Sequence, residues 1–171
     1  MPAWAYLFFC WARVSELVRA VGVNSMNTTR LFLAVLAGFA FIFASDFLIH
    51  AIWLEADYKA TASLWRPEAE MQRRFALMLF AQLLCAVAFM YIWAKTGWRR
   101  RTVSDGCVFG LWMGLFAQVM TIVLYVVTPM PKELALKWFL AGLLQAVVLG
   151  AIASLVYKPV ATLGDRRNQA V

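Results

Sequence analysis

Apolar residues dominate four stretches of the chain, at positions 31–54, 75–94, 108–127 and 135–157. Each is long enough to cross the hydrocarbon of a bilayer, which takes about 20 apolar residues at a rise of about 1.5 Å each. None shows the strict in/out alternation of a barrel strand. Backbone in hydrocarbon must satisfy its own hydrogen bonds, so each stretch is predicted to be an α-helix and the fold an all-α membrane bundle of four helices.

Polar punctuation supports these limits. Pro67 with Glu68 and Glu70 reads as a helix first turn, since proline suits the first helical position and acids suit the positive end of the helix dipole. The second helix is therefore predicted to begin there, ahead of its apolar stretch, and to carry Arg73 and Arg74. Thr128-Pro129-Met130-Pro131 stops the third helix, because proline lacks the N–H that a continuing helix needs. Gly97 and Trp98 close the second helix, and Tyr157, Lys158 and Pro159 the fourth. Trp53, Trp65, Trp93, Trp98 and Trp138 fall near the ends of the stretches, where amphipathic rings favour the headgroup layer.

Residues 26–160 are read as the bundle and 161–171 as a cytoplasmic tail. Residues 1–25 stand apart. Their apolar run at 3–12 is too short to span, and Arg13, Glu16 and Arg19 follow it. Three readings stand: a short interfacial helix, a remnant of a signal-like segment, or a mis-assigned start with Met26 as the true first residue.

Composition agrees with the pattern. Of 171 residues 64% are hydrophobic and only 15% charged, with a mean hydropathy of +0.73. A soluble domain is about 25% charged, and one of this size could not bury so much apolar surface. The net charge of +7 is carried beside the apolar stretches. It lacks the interleaved polar stripe of a nucleic-acid face, so lipid is the expected partner and nucleic acid is not. The basic residues also predict orientation. Arg13, Arg19, Arg30, Lys95, Arg99, Arg100, Arg101, Lys158, Arg166 and Arg167 fall on one side, and Lys59, Arg66, Arg73, Arg74, Lys132 and Lys137 on the other. The richer side belongs in the cytoplasm, which places both termini inside.

Polar residues inside the stretches are the candidates for function. Asp46 and His50 sit four apart on the first helix, hence on one face. A carboxylate in hydrocarbon costs at least about 2.5–3.5 kcal/mol, so it normally faces the bundle interior or water. The pair reads either as a proton relay or cation site, or as a tie between helices. Gln82, Gln118 and Gln145 place one carboxamide on each of the other helices. At about 1.5 Å per residue, Asp46, Gln82, Gln118 and Gln145 lie about 12, 10, 13 and 15 Å in from the same boundary. All four helices thus bring a polar group to one level in the outer half. That is the pattern of an outward-opening polar pocket, and equally of an interhelical hydrogen-bond layer needing no ligand. The 1–2 loop, with Tyr58 and Trp65, lies on the same side and reads either as a cap over it or as interfacial anchoring.

Gly142, Ala146, Gly150 and Ser154 form a small-residue ribbon on the fourth helix, and Gly110 with Gly114 a GxxxG on the third. Such ribbons let backbones approach closely, either within the chain or across a homodimer. Cys10, Cys85 and Cys107 match no zinc or CxxC spacing, and no structural disulfide is expected. One histidine is too few for a metal or haem-type bundle site. No nucleophile elbow, phosphate-binding loop or dinucleotide fingerprint occurs, so no catalytic residue and no cofactor is assigned and the reading leans against an enzyme.

Asp46-Phe-Leu-Ile-His50, Tyr58, Leu64-Trp-Arg-Pro67, Leu79-Phe-Ala-Gln82 and Pro129-Met-Pro131 together resemble small four-span bacterial membrane proteins of the DUF1761 type. The resemblance covers roughly residues 26–158. It implies a bacterial inner-membrane location and carries over no activity and no functional residue. The sequence thus points to a structural or accessory membrane bundle, with a small transporter or channel-like protein bearing an outward-facing pocket as the alternative.

Overall fold

A computed structural model of the chain describes residues 26–96 and 102–157. The readings placed on residues 1–25, on Gly97, Trp98 and the arginines at 99–101, and on the segment from Lys158 onward lie outside the described residues. Those described are mostly helical, without a strand. α1 (Thr28–Asp46) runs directly into a π-helical segment, Phe47–Trp53. α2 (Glu55–Ala60), a single 3₁₀ turn (Ala62–Leu64) and α3 (Glu68–Arg73) make up the first loop. Three long helices follow: α4 (Phe75–Lys95), α5 (Val103–Val127) and α6 (Lys132–Val156). Four segments, Thr28–Trp53, Phe75–Lys95, Val103–Val127 and Lys132–Val156, are long and apolar enough to cross a membrane.

The second helix does not begin continuously at Pro67, as its proline and acids suggest. Glu68–Arg73 is a separate short helix, and Arg74 (φ −101°, ψ 6°) leaves helical geometry before α4 starts. Arg74 bonds the Glu70 carboxylate at 3.1 Å and the Glu70 carbonyl at the same distance, a side-chain claim on the backbone that competes with the helical ladder. The proline stop does act as read: α5 ends at Val127, and Pro131 caps the start of α6. At its other end α5 opens with a reciprocal cap between Thr102 and Asp105, three residues apart. The Thr102 hydroxyl accepts from the Asp105 N–H (3.2 Å), while the Asp105 carboxylate accepts from the Thr102 N–H (2.8 Å).

α1 packs against both α4 and α6, and α6 against α5. The α5–α6 seam is the tightest, and glycine makes it so. A Cβ on Gly106 or Gly110 would strike the carbonyl oxygen of Gly150 or Ala146, and one on Gly150 would strike that of Gly106. The two small-residue series therefore face each other within one chain, which leaves a second copy some other face to use. Ser154 is buried there and bonds its own helix at Ala151 O (2.7 Å). α1 approaches α4 through Gly38, where a Cβ would lie 2.7 Å from Met90 Cε. Phe109 of α5 closes the bundle against Phe89 and Trp93 of α4, at ring distances of 5.0 and 5.3 Å.

Most of the apolar surface stays outside. Phe116 and Val126 are each 78% exposed, and Trp112, Met120, Leu77 and Leu144 are similarly bare. A monomer in water rarely shows continuous patches beyond a few hundred Å², so this surface calls for lipid.

Candidate functional site

Asp46 is the last α-helical residue before the π segment. Its carboxyl group accepts from Gln82 Nε2 of α4 at 2.6 Å and from Gln145 Nε2 of α6 at 2.7 Å. Gln145 Nε2 also reaches Ser45 Oγ at 2.7 Å. That hydroxyl in turn donates to Phe41 O at 2.7 Å. Asp46 is thus the hub of a layer joining three helices. No salt bridge to Asp46 occurs among the described residues. Gln82 is buried, and its carbonyl oxygen Oε1 has no hydrogen-bond partner there. A buried acceptor left unpaired is costly, which makes it a feature to explain rather than routine packing.

His50, the predicted companion of Asp46, turns elsewhere. It lies in the π segment, where Leu54 N–H bonds back five residues to Ile49 O (2.9 Å). Among the described residues no hydrogen bond joins it to Asp46. His50 Nδ1 meets the Tyr58 hydroxyl at 2.5 Å, and Trp138 Nε1 donates to the same oxygen at 2.8 Å. An indole N–H can only donate. The phenol oxygen therefore accepts from Trp138, and its own hydrogen remains available to His50 Nδ1. With that hydrogen donated to Nδ1, a neutral His50 carries its own hydrogen on Nε2. Burial pushes the Tyr58 phenol up to about 12, so it keeps that hydrogen near neutral pH.

Tyr58 belongs to α2, and α2 is fastened over the end of α6. Lys137 Nζ bonds both Asp57 oxygens, at 2.9 and 2.7 Å. Trp65 packs edge-on against Tyr58 (5.4 Å between centroids) and lies 5.7 Å from Trp138, while its indole N–H bonds Thr61 Oγ1 at 2.9 Å. Beneath them Leu54, Met130, Leu134 and Ala135 form a buried cluster. The first loop thus packs on the chain where the sequence allowed a cap.

Gln118 separates from the Asp46 layer. Its Oε1 accepts from Thr121 Oγ1 at 2.6 Å, and its Nε2 lies against Gly142, where a Cβ would collide with it. Together with His50, Thr121, Trp138, Gly142 and Gln145 it lines a cavity of about 260 Å³. The four polar levels of the sequence therefore resolve into two connected parts. Asp46, Gln82 and Gln145 form a bonded layer, and His50, Gln118 and Gln145 border a cavity, with Gln145 common to both. Sequence reasoning missed Ser45, Thr121 and the Lys137–Asp57 pair. Thr121 stands three residues from Gln118, a helical spacing that offered a signal; Lys137 and Asp57 are 80 residues apart and offered none. No group of three or more His, Cys, Asp or Glu placed to hold a metal occurs among the described residues. No family model matches the chain, and neither a curated protein nor a solved structure does.

Proposed function

We propose that the chain is a multi-pass protein of a bacterial inner membrane, with both termini in the cytoplasm, that takes a small solute into an outward-facing polar pocket in the manner of a small transporter or channel. The cavity bordered by His50, Gln118 and Gln145 carries this reading. Three polar side chains from three helices converge on a space of about 260 Å³ within the stretches able to span a membrane. Ligand sites of helical bundles are built in this way, from a few convergent polar groups between helices. The larger Lys and Arg count expected on the cytoplasmic side supports an outer-half position for the cavity, and the resemblance to small four-span bacterial proteins supports the location.

A second reading, a structural or accessory bundle serving a partner or a second copy, is favoured by the Asp46 layer, whose bonds to Gln82 and Gln145 close within the chain. Cysteine labelling separates the two. In a background with Cys10, Cys85 and Cys107 replaced, Gln118→Cys is expected to react with a membrane-impermeant thiol reagent added outside. Phe116→Cys, on the bare apolar face, is expected to resist, because thiolate does not form in hydrocarbon. Equal resistance at both positions would leave only the accessory reading.

A further inference from the structure

The hydrogen bonds around the cavity leave three of its polar side chains, His50, Gln118 and Gln145, with one committed end and one free end. His50 Nδ1 is taken by the Tyr58 hydroxyl; where it accepts the phenol hydrogen, its remaining ring group is Nε2–H, a donor. The Gln118 carbonyl oxygen is taken by the Thr121 hydroxyl, so its remaining group is the NH₂, also a donor. The Gln145 NH₂ is taken by Asp46 and Ser45, so its remaining group is the carbonyl oxygen, an acceptor. His50 and Gln145 are fixed from behind by partners outside the cavity lining, and Gln118 by Thr121, which lines the cavity beside it. Such pre-orientation distinguishes a binding surface from polar groups that merely find each other.

From this arrangement, and resting on the pocket reading above, we infer that the cavity selects a small uncharged solute bearing both an acceptor and a donor, of the amide, urea or polyol class. An acceptor on the solute meets His50 Nε2–H and the Gln118 NH₂, and a donor meets Gln145 Oε1. Net charge disfavours the other classes. No Lys or Arg borders the cavity, and the nearby Lys137 is held by Asp57, so an anion finds no counter-charge. A cation finds two N–H donors facing it, against the neutral oxygens of Gln145 and Thr121. A neutral solute alone pairs with every free group. The volume suits it: about 260 Å³ holds several waters at about 30 Å³ each, or one small organic molecule in their place.

The test is saturation-transfer NMR on the full chain in lipid nanodiscs, with acetamide, urea and glycerol as neutral probes, and acetate and methylammonium as charged ones. Transfer is expected to the neutral probes and not to the charged ones. Gln118→Leu, which removes one donor, is expected to weaken acetamide binding about fivefold, the effect of one lost hydrogen bond. Should that variant fold poorly, Gln118→Glu serves instead. It replaces the donor with a carboxylate and is expected to shift preference from acetamide to methylammonium. Transfer to acetate or methylammonium in the parent chain overturns the solute class while the pocket stands. Transfer to no probe overturns the class as well, and the outside labelling of Gln118→Cys then reports whether the pocket reading falls with it. Acetamide binding that Gln118→Leu and Gln118→Glu both leave unchanged overturns the site.

Discussion

Removing the Asp46 hub tests what holds α1 to its neighbours. Asp46→Ala deletes the acceptor for Gln82 Nε2 and one of two acceptors for Gln145 Nε2. Gln145 keeps Ser45, whereas Gln82, whose Oε1 is already unpartnered, would be left with no hydrogen bond in a buried site. Interhelical hydrogen bonds in membranes average about 0.6 and reach about 1.7 kcal/mol, so two of them put the loss at roughly 1 to 3 kcal/mol. Asp46→Asn should behave differently. Its oxygen can still face Gln145, and its NH₂ can donate to Gln82 once that carboxamide rotates by a half-turn. Both bonds survive, and the expected cost is under about 0.5 kcal/mol. The assay is equilibrium unfolding of the purified chain in mixed micelles titrated with SDS. A double-mutant cycle of Asp46→Ala with Gln82→Ala should return a coupling of about 0.6 to 1.7 kcal/mol. If Asn and Ala cost the same, or if the coupling is near zero, the hydrogen bonds are not what Asp46 contributes, and the account of this layer fails.

Gly110→Ala drives a Cβ into the backbone of α6 and should cost about 1–3 kcal/mol in the same unfolding assay. Gly142→Ala meets only the end of the Gln118 side chain, which can swing aside, so it should cost clearly less; the reverse order would contradict the seam as described. Lys137→Met releases the half-buried pair with Asp57 and should cost about 1 kcal/mol or less. Its clearer signature is faster amide exchange across Glu55–Ala60, and unchanged exchange there would mean the ion pair does not hold α2 down. The raised Tyr58 pKa adds a pH dependence. The folded chain holds the phenol proton more tightly than the unfolded chain, so the contribution of α2 docking is constant below pH 10 and declines between pH 10 and about 12. The ultraviolet titration difference between parent and Tyr58→Phe should show one phenol ionising near pH 12, and a transition near 10 would refute the burial of that ring.

The four long helices were legible in the sequence because a membrane span is a one-dimensional property. Length, apolar content and punctuation suffice, and the limits at Val127 and Pro131 fell where the prolines stood. The starts were less legible: α5 reaches back to Val103 and α6 to Lys132, because polar first turns continue a helix outside its apolar stretch. The level of Asp46, Gln82 and Gln145 followed from counting residues along straight helices. Which of them bond could not be counted, since it depends on how each helix is rotated about its own axis. Rotation also decided that Gln118 turns to Thr121 and the cavity.

Only the tertiary structure could pair His50 with Tyr58 rather than with Asp46. The i, i+4 rule assumes α geometry, and the chain switches to π geometry at Phe47, while the competing partner, Tyr58, comes from a loop and is itself held by Trp138 of α6. The helices, and the orientation expected of them, are local consequences of hydropathy and charge. Partner choice is a consequence of packing, and at this site packing decides which polar ends remain free to meet a solute.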